Sequence, residues 1–151
     1  MKRLLIVHHT QSGNTGRLTA AVEAGVAQES DVELRSLRAP DAGLDDLLWC
    51  NGLLLGTPEN FGALSGMMKD FLDRTYDDAR GKVDSLPYAM YVSAGNDGTG
   101  AVRQLERIAL GYPWKKIAEP VIARDAITQA DLDACHELGH AMAAGLVYGI
   151  F

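Results

Sequence analysis

The side chains best suited to hold a ligand fall in three loops. The first is Thr10-Gln11-Ser12-Gly13-Asn14-Thr15, between an apolar run and an amphipathic stretch. It combines hydroxyls, amide groups and a glycine and carries no charge. A helix amino terminus exposes unpaired N–H groups and about half a positive charge, so it can hold a phosphate without a lysine. The hydroxyls of Thr10, Ser12 and Thr15 would donate to the phosphate oxygens, and Gly13 would let the backbone approach closely. Neither GxxxxGK[ST] nor GxGxxG occurs here, which argues against ATP, GTP or a Rossmann-bound dinucleotide. The competing reading is a plain helix cap, since Ser, Thr and Asn are common capping residues. The second loop runs Gly56-Thr57-Pro58-Glu59-Asn60-Phe61-Gly62-Ala63-Leu64-Ser65-Gly66, and the third Ser93-Ala94-Gly95-Asn96-Asp97-Gly98-Thr99-Gly100.

A different chemistry is written in His136-Glu137-Leu138-Gly139-His140, which fits the H-E-x-x-H zinc signature. A catalytic zinc needs a third protein ligand, commonly downstream, and Ala141 to Phe151 contain no His, Asp, Glu or Cys. The arc Leu132, Cys135, Gly139, Met142 and Leu146 puts both histidines at the border of a buried helix face. No metal is expected. His8 and His9 end the first apolar run, where strand-end packing is the plain reading, and Arg17 belongs to a solvated face.

The elements that must position these loops follow from periodicity. Arg3 to His8 reads as a strand, and Leu18, Ala21, Val22, Gly25 and Val26 recur at helical spacing. Asp31 to Leu37 alternates as a half-buried edge strand should, and a short helix covers Leu44 to Trp49. Gly52 to Gly56 is apolar throughout, as expected of a central parallel strand. Thr57 to Leu64 reads as a polar loop before a helix with Met67, Met68, Phe71 and Leu72 on its inner side. Pro87 to Ser93 is a further strand, followed by a helix carrying Val102, Leu105, Ile108 and Ala109. Ile117 to Ala123 makes a last strand that Pro120 confines to an edge or a bulge. The final helix starts at Thr128, with Asp131 completing an approximate capping box. Five strand–helix units predict an α/β, three-layer, doubly wound parallel sheet with right-handed crossovers, forming one domain over 1–151. In such a sheet ligands bind beyond the carboxyl ends of the strands, where the three loops lie.

Composition narrows the options. The 151 residues are 47% hydrophobic and 23% charged, within the range of globular domains. No apolar run approaches the ~20 residues of a membrane span, and the start lacks a signal-peptide cleavage site. Fourteen basic against 20 acidic residues give a net charge of −6, which disfavours a nucleic-acid partner. Cys50 and Cys135 lack metal-ligand spacing and read as reduced, buried thiols of a cytoplasmic protein.

T-x-S-G-N-T after the first strand resembles the phosphate loop of the flavodoxin-like FMN proteins. G-T-P-x-x-F-G-x-x-S-G-x-M-K-x-F-L-D-R, from Gly56 to Arg74, is similar to the second flavin loop of the WrbA-type NAD(P)H:quinone oxidoreductases and their NADPH-dependent FMN reductase relatives. The glycine-rich third loop stands in the place of that family's third flavin contact. The resemblance implies a flavodoxin-like five-stranded sheet in the order 2-1-3-4-5, with FMN as cofactor. Carried over by position, it implies that Thr10, Gln11, Ser12, Gly13, Asn14 and Thr15 hold the FMN phosphate. Pro58, Glu59, Asn60, Phe61 and Gly62 would run along the isoalloxazine, and Ser93, Ala94, Gly95, Asn96 and Gly98 would line the ribityl chain and pyrimidine edge. Two departures stand out. Nothing corresponds to the late WrbA insertion that serves tetramer and substrate pocket, and the late-loop histidine has no clear counterpart.

The resemblance leaves an enzyme and a carrier open. Flavodoxin carriers usually sandwich the isoalloxazine between aromatic rings, whereas here the second loop offers only Phe61 and the third no aromatic. An uncovered flavin face favours an NAD(P)H-dependent oxidoreductase in which NAD(P)H and then a quinone or other small acceptor stack at one site. The alternative is an electron carrier that serves a redox protein partner and does not itself oxidise NAD(P)H. A third is a flavin-free interaction module on the same fold. No acid–base residue is required, and a homodimer is left open. Trp49, Tyr76, Tyr112 and Trp114 are expected in the core or at subunit contacts.

Overall fold

A computed structural model describes residues 1–151. Parallel strands β1 (Lys2–His8), β2 (Val32–Arg38), β3 (Gly52–Asn60) and β5 (Pro87–Ala94) form the sheet with β6 (Lys115–Lys116) and β7 (Val121–Arg124), while a short β4 (Ala63–Leu64) pairs antiparallel with β3. The order is β2-β1-β3-β5-β6, with β7 also paired to β5. β6 and β7 share the fifth position of the expected 2-1-3-4-5 sheet. The break between them contains Pro120, whose missing N–H cannot continue the ladder.

Leu4 to Val7 and Leu53 to Leu55 are fully buried because helices cover both faces of the central strands. Helices α1 (Asn14–Val26) and α5 (Gln129–Val147) pack on one face; α2 (Leu44–Trp49), α3 (Gly66–Ala79) and α4 (Thr99–Gly111) pack on the other. Thr128 caps α5 through a hydrogen bond from the Asp131 N–H, and Asp131 returns it by accepting from the Thr128 N–H, completing the capping box. α1 and α5 touch through Gly25 and Gly139. A Cβ on either glycine would strike the facing backbone, at the His136 carbonyl and the Val22 carbonyl respectively. Gly139, inside the zinc-like motif, is therefore a packing residue.

Three expectations need correction. Met67 does not face inward; it is 47% exposed, while Met68, Phe71 and Leu72 are buried. Met67 belongs to the solvent side of the first turn of α3, one position out of phase with the inner arc. The edge strand β2 does not alternate cleanly between buried and exposed residues. Its outward Arg35 is covered by the Trp49 ring at 3.9 Å and paired with Asp46 at 2.8 Å. The stretch Thr57 to Leu64 is not simply a loop, because β3 continues to Asn60 and turns back through Phe61 and Gly62 into β4. Both turn residues have positive φ (53° and 74°), which suits a two-residue hairpin.

The large aromatics lie away from the loops. Tyr112 and Trp114 are buried and stack with centroids 4.1 Å apart, next to the start of β5. Tyr76 meets Tyr112 edge-on at 5.3 Å. Cys50 and Cys135 are free and buried, and burial pushes both thiols up to about 12. No helix is long and apolar enough to cross a membrane.

Candidate functional site

The register brings the ends of β1, β3 and β5 level: His8 lies beside Gly56, and Pro58 beside Ser93. The three loops therefore emerge on one rim, at the carboxyl edge of a parallel sheet. A cavity of about 480 Å³ opens there, lined by Gln11, Ser12, Asn14, Pro58, Glu59, Asn60, Ser93, Ala94, Gly95, Asp125 and Ala126.

The first loop ends at Gly13, whose φ of 104° favours glycine and whose own N–H is accepted by Thr10 Oγ1 at 3.1 Å. No side chain caps α1 and no acidic residue occupies its first turn, so its leading N–H groups face outward without an acceptor. Thr15 Oγ1 pairs with Ser93 Oγ at 2.7 Å in a buried contact that ties the first loop to the third. One turn further on, Thr19 pairs with Tyr91 at 2.7 Å, and burial keeps the Tyr91 hydroxyl far above its ordinary ionisation range. Of the three hydroxyls read from the sequence as phosphate donors, two are thus already engaged, although Thr10 keeps its own proton to give. Ser12 lines the cavity.

The second loop is held at both ends. The Asn60 amide donates to Gln11 Oε1 at 3.0 Å, joining it to the first loop. The Glu59 carboxylate accepts from the Gly98 N–H at 3.0 Å and from the Ala101 N–H at 3.1 Å, so it caps α4 from across the rim. The Leu64 N–H donates to Gln104 Oε1 at 2.9 Å, and a Cβ on Gly100 would strike the Gly62 carbonyl. Phe61 is fully exposed at the hairpin tip and does not line the cavity.

Of the residues expected from sequence, Gln11, Ser12, Asn14, Pro58, Glu59, Asn60, Ser93, Ala94 and Gly95 come together around the cavity. Gly13, Thr15 and Gly98 shape the loops behind it, while Gly62 and Asn96 are exposed on the rim. Thr10 lies on the wall of a neighbouring cavity. Sequence reasoning missed Asp125 and Ala126. They follow β7 and reach the same rim, and the Asp125 N–H donates to the Ala94 carbonyl at 2.8 Å. The general rule that loops after every parallel strand share this edge could have included them. It also missed Thr57, fully buried, whose hydroxyl accepts the Ser65 N–H at 3.1 Å and steadies the hairpin base.

His136 and His140 stand on α5, away from this rim; His140 Nε2 is 3.4 Å from Glu29 Oε1. No three His, Cys, Asp or Glu side chains cluster as a metal site.

This rim and sheet define a flavodoxin-like α/β protein. The model of the NADPH-dependent FMN reductase family matches residues 40–125. The chain belongs to that family, among the flavodoxin-like flavoproteins with FMN as cofactor. It is 27% identical to a flavodoxin of Aquifex aeolicus, over 95% of this chain and 86% of that one. It is 30% identical to an NAD(P)H dehydrogenase (quinone) of Acidithiobacillus ferrooxidans over 95 residues, half of this chain and 48% of that relative. The fold matches a WrbA-like flavodoxin from Agrobacterium tumefaciens (TM-score 0.80, 18% identity, 98% of this chain and 99% of that one). It also matches flavodoxin 1 from Bacillus cereus (TM-score 0.83, 18% identity, 96% and 99%).

The residues present suit FMN. An uncapped helix end with no first-turn acid suits a phosphate, and a cavity of about 480 Å³ walled mostly by uncharged loop groups leaves room for an attached ring system. Of the two carboxylates on that wall, Glu59 has both oxygens engaged by backbone donors, whereas Asp125, just after β7, is exposed to solvent.

Proposed function

We propose that the chain is an NAD(P)H-dependent oxidoreductase that delivers electrons to a quinone or similar small acceptor, working in the cytoplasm. When bound, FMN supplies the two-electron chemistry, taking a hydride from the nicotinamide and releasing electrons to the acceptor. The protein binds and orients. The first-turn N–H groups of α1, with Ser12, hold the phosphate. The Asn60–Gln11 amide pair and the backbone of Pro58 to Asn60 form one wall. Ser93, Ala94 and Gly95 form the other, their backbone polar groups placed to fix a ring edge.

The observation that carries this reading is the rim's lack of any lining aromatic: Phe61 points into solvent, leaving space for a second flat ring to stack. Family membership supports it. Free, buried cysteines support a reducing compartment. The test is anaerobic addition of NADPH or NADH to the FMN-loaded protein. Rapid bleaching of the yellow absorbance, with parallel initial-rate lines when nicotinamide and quinone are varied, is the expected result. Converging lines would contradict a shared stacking site.

A second reading is supported by the Aquifex aeolicus flavodoxin, which aligns over most of both chains. As an electron carrier, the protein would stay yellow with NADPH and bleach only when a reductase is supplied.

A further inference from the structure

Beside the rim, on the far side of Thr10, lies a separate cavity of about 420 Å³ between β1, α1 and the end of β2. His8, His9, Thr10, Gly16, Thr19, Ala20, Glu23 and Arg38 line it. Most of its polar atoms are satisfied: Thr10 Oγ1 accepts from Gly13, Thr19 Oγ1 bonds to Tyr91 and to the Thr15 carbonyl, and Glu23 Oε1 accepts from Ser36 Oγ. The exceptions cluster. His8 Nδ1 and His9 Nδ1 are both buried with no partner in the protein, and Arg38 takes part in none of the ion pairs. The buried Nδ1 atoms face the protein and not the cavity, but neither ring makes a hydrogen bond within the protein, so the wall carries two imidazoles and an exposed guanidinium that no protein group engages.

We propose that this cavity is a second ligand site, taking a tetrahedral oxyanion such as a phosphoryl group carried on a larger molecule. Arg38 supplies the fixed charge, and the two imidazoles become donors on protonation. The volume exceeds what a lone oxyanion fills and lies in the range of small-molecule pockets. Burial, the Arg38 charge and, for His8, the neighbouring His9 hold both rings below their ordinary range, whereas Glu23 on α1 favours the His8 cation. Anion binding therefore takes up a proton and weakens as pH rises. Glu23 opposes the anion directly.

The test follows the ring NMR signals of His8 and His9 in FMN-saturated protein, so that the end of α1 is already filled. Sulfate is the probe because its charge is fixed across neutral pH. The expected result is that sulfate raises both ring midpoints by about 1 pH unit. Sulfate binding should weaken about tenfold in Arg38→Gln and tighten in Glu23→Gln. Neither variant alters the loop at Gly13, so a failure to load FMN is seen separately, in its absorbance. Midpoints that ignore sulfate, or an unchanged response in Arg38→Gln, would overturn the site. A nucleoside monophosphate is expected to bind more tightly than inorganic phosphate, and equal affinity would refute the larger ligand.

Discussion

Two helices begin on the same rim in nearly the same way and meet different fates. α1 and α4 each follow a glycine with left-handed backbone, Gly13 (φ 104°) and Gly98 (φ 89°), and neither glycine can cap its own helix. At α4 the carboxylate of Glu59 reaches across and takes the Gly98 and Ala101 N–H groups. At α1 nothing reaches across, and the first turn remains open. The positive end of one helix is thus neutralised by the protein's own anion, and that of the other has no protein anion against it. The difference is made by a residue 39 positions from Gly98 in sequence, not by either helix's local composition.

The comparison can be broken most strongly at α1. Asn14→Asp places a carboxylate among the open donors, and FMN affinity should fall by ~2 kcal/mol, about thirtyfold, in a fluorescence titration. The matching change at the other helix is Glu59→Ala, which uncovers α4. It should cost about 2 kcal/mol in urea unfolding and speed amide exchange at Gly98 and Ala101, with Glu59→Gln intermediate. If Glu59→Ala instead left stability unchanged, the two helix ends would not differ as described. Thr15→Val removes one half of the buried Thr15–Ser93 pair, and about 1 kcal/mol of stability should go with it, since Ser93 Oγ is left without its partner.

The smallest effect concerns pH. His8 and His9 are held below their ordinary value of 6.5, chiefly by burial, so the unfolded chain binds their protons more readily than the folded one. Their contribution to stability is complete above pH 6.5 and is lost as pH falls through the window down to the lowered native values. Urea midpoints measured from pH 7.5 to 5 should decline, and the double change His8→Gln, His9→Gln should flatten the slope.

Much of this arrangement is legible in the sequence. Leu4 to Val7 and Gly52 to Leu55 announce central strands because burial on both faces leaves no room for alternation. Thr128 and Asp131 announce the start of α5 because a capping box is local. The break at Pro120 is likewise a property of one residue. What escapes is non-local. The Phe61–Gly62 hairpin lacks the usual Asn-Gly signal and depends on docking against Gly100 and Gln104. Glu59 reads as a pocket residue, and only the fold reveals that its carboxylate is spent on α4. Asp125 reaches the site through a loop that carries no motif. The H-E-x-x-H pattern shows the converse. Its central glycine is dictated by the close approach of α1, a demand invisible without the partner helix.

The most direct measurement compares FMN with riboflavin, binding each to the flavin-free protein while following backbone amide shifts. With the end of α1 open and that of α4 closed, FMN should bind at least about a hundredfold more tightly than riboflavin. The phosphate-dependent shifts should fall on Ser12 to Gly16, with Gly98 and Ala101 little moved. Equal affinities for the two compounds, or shifts centred on Gly98 and Ala101, would contradict the account.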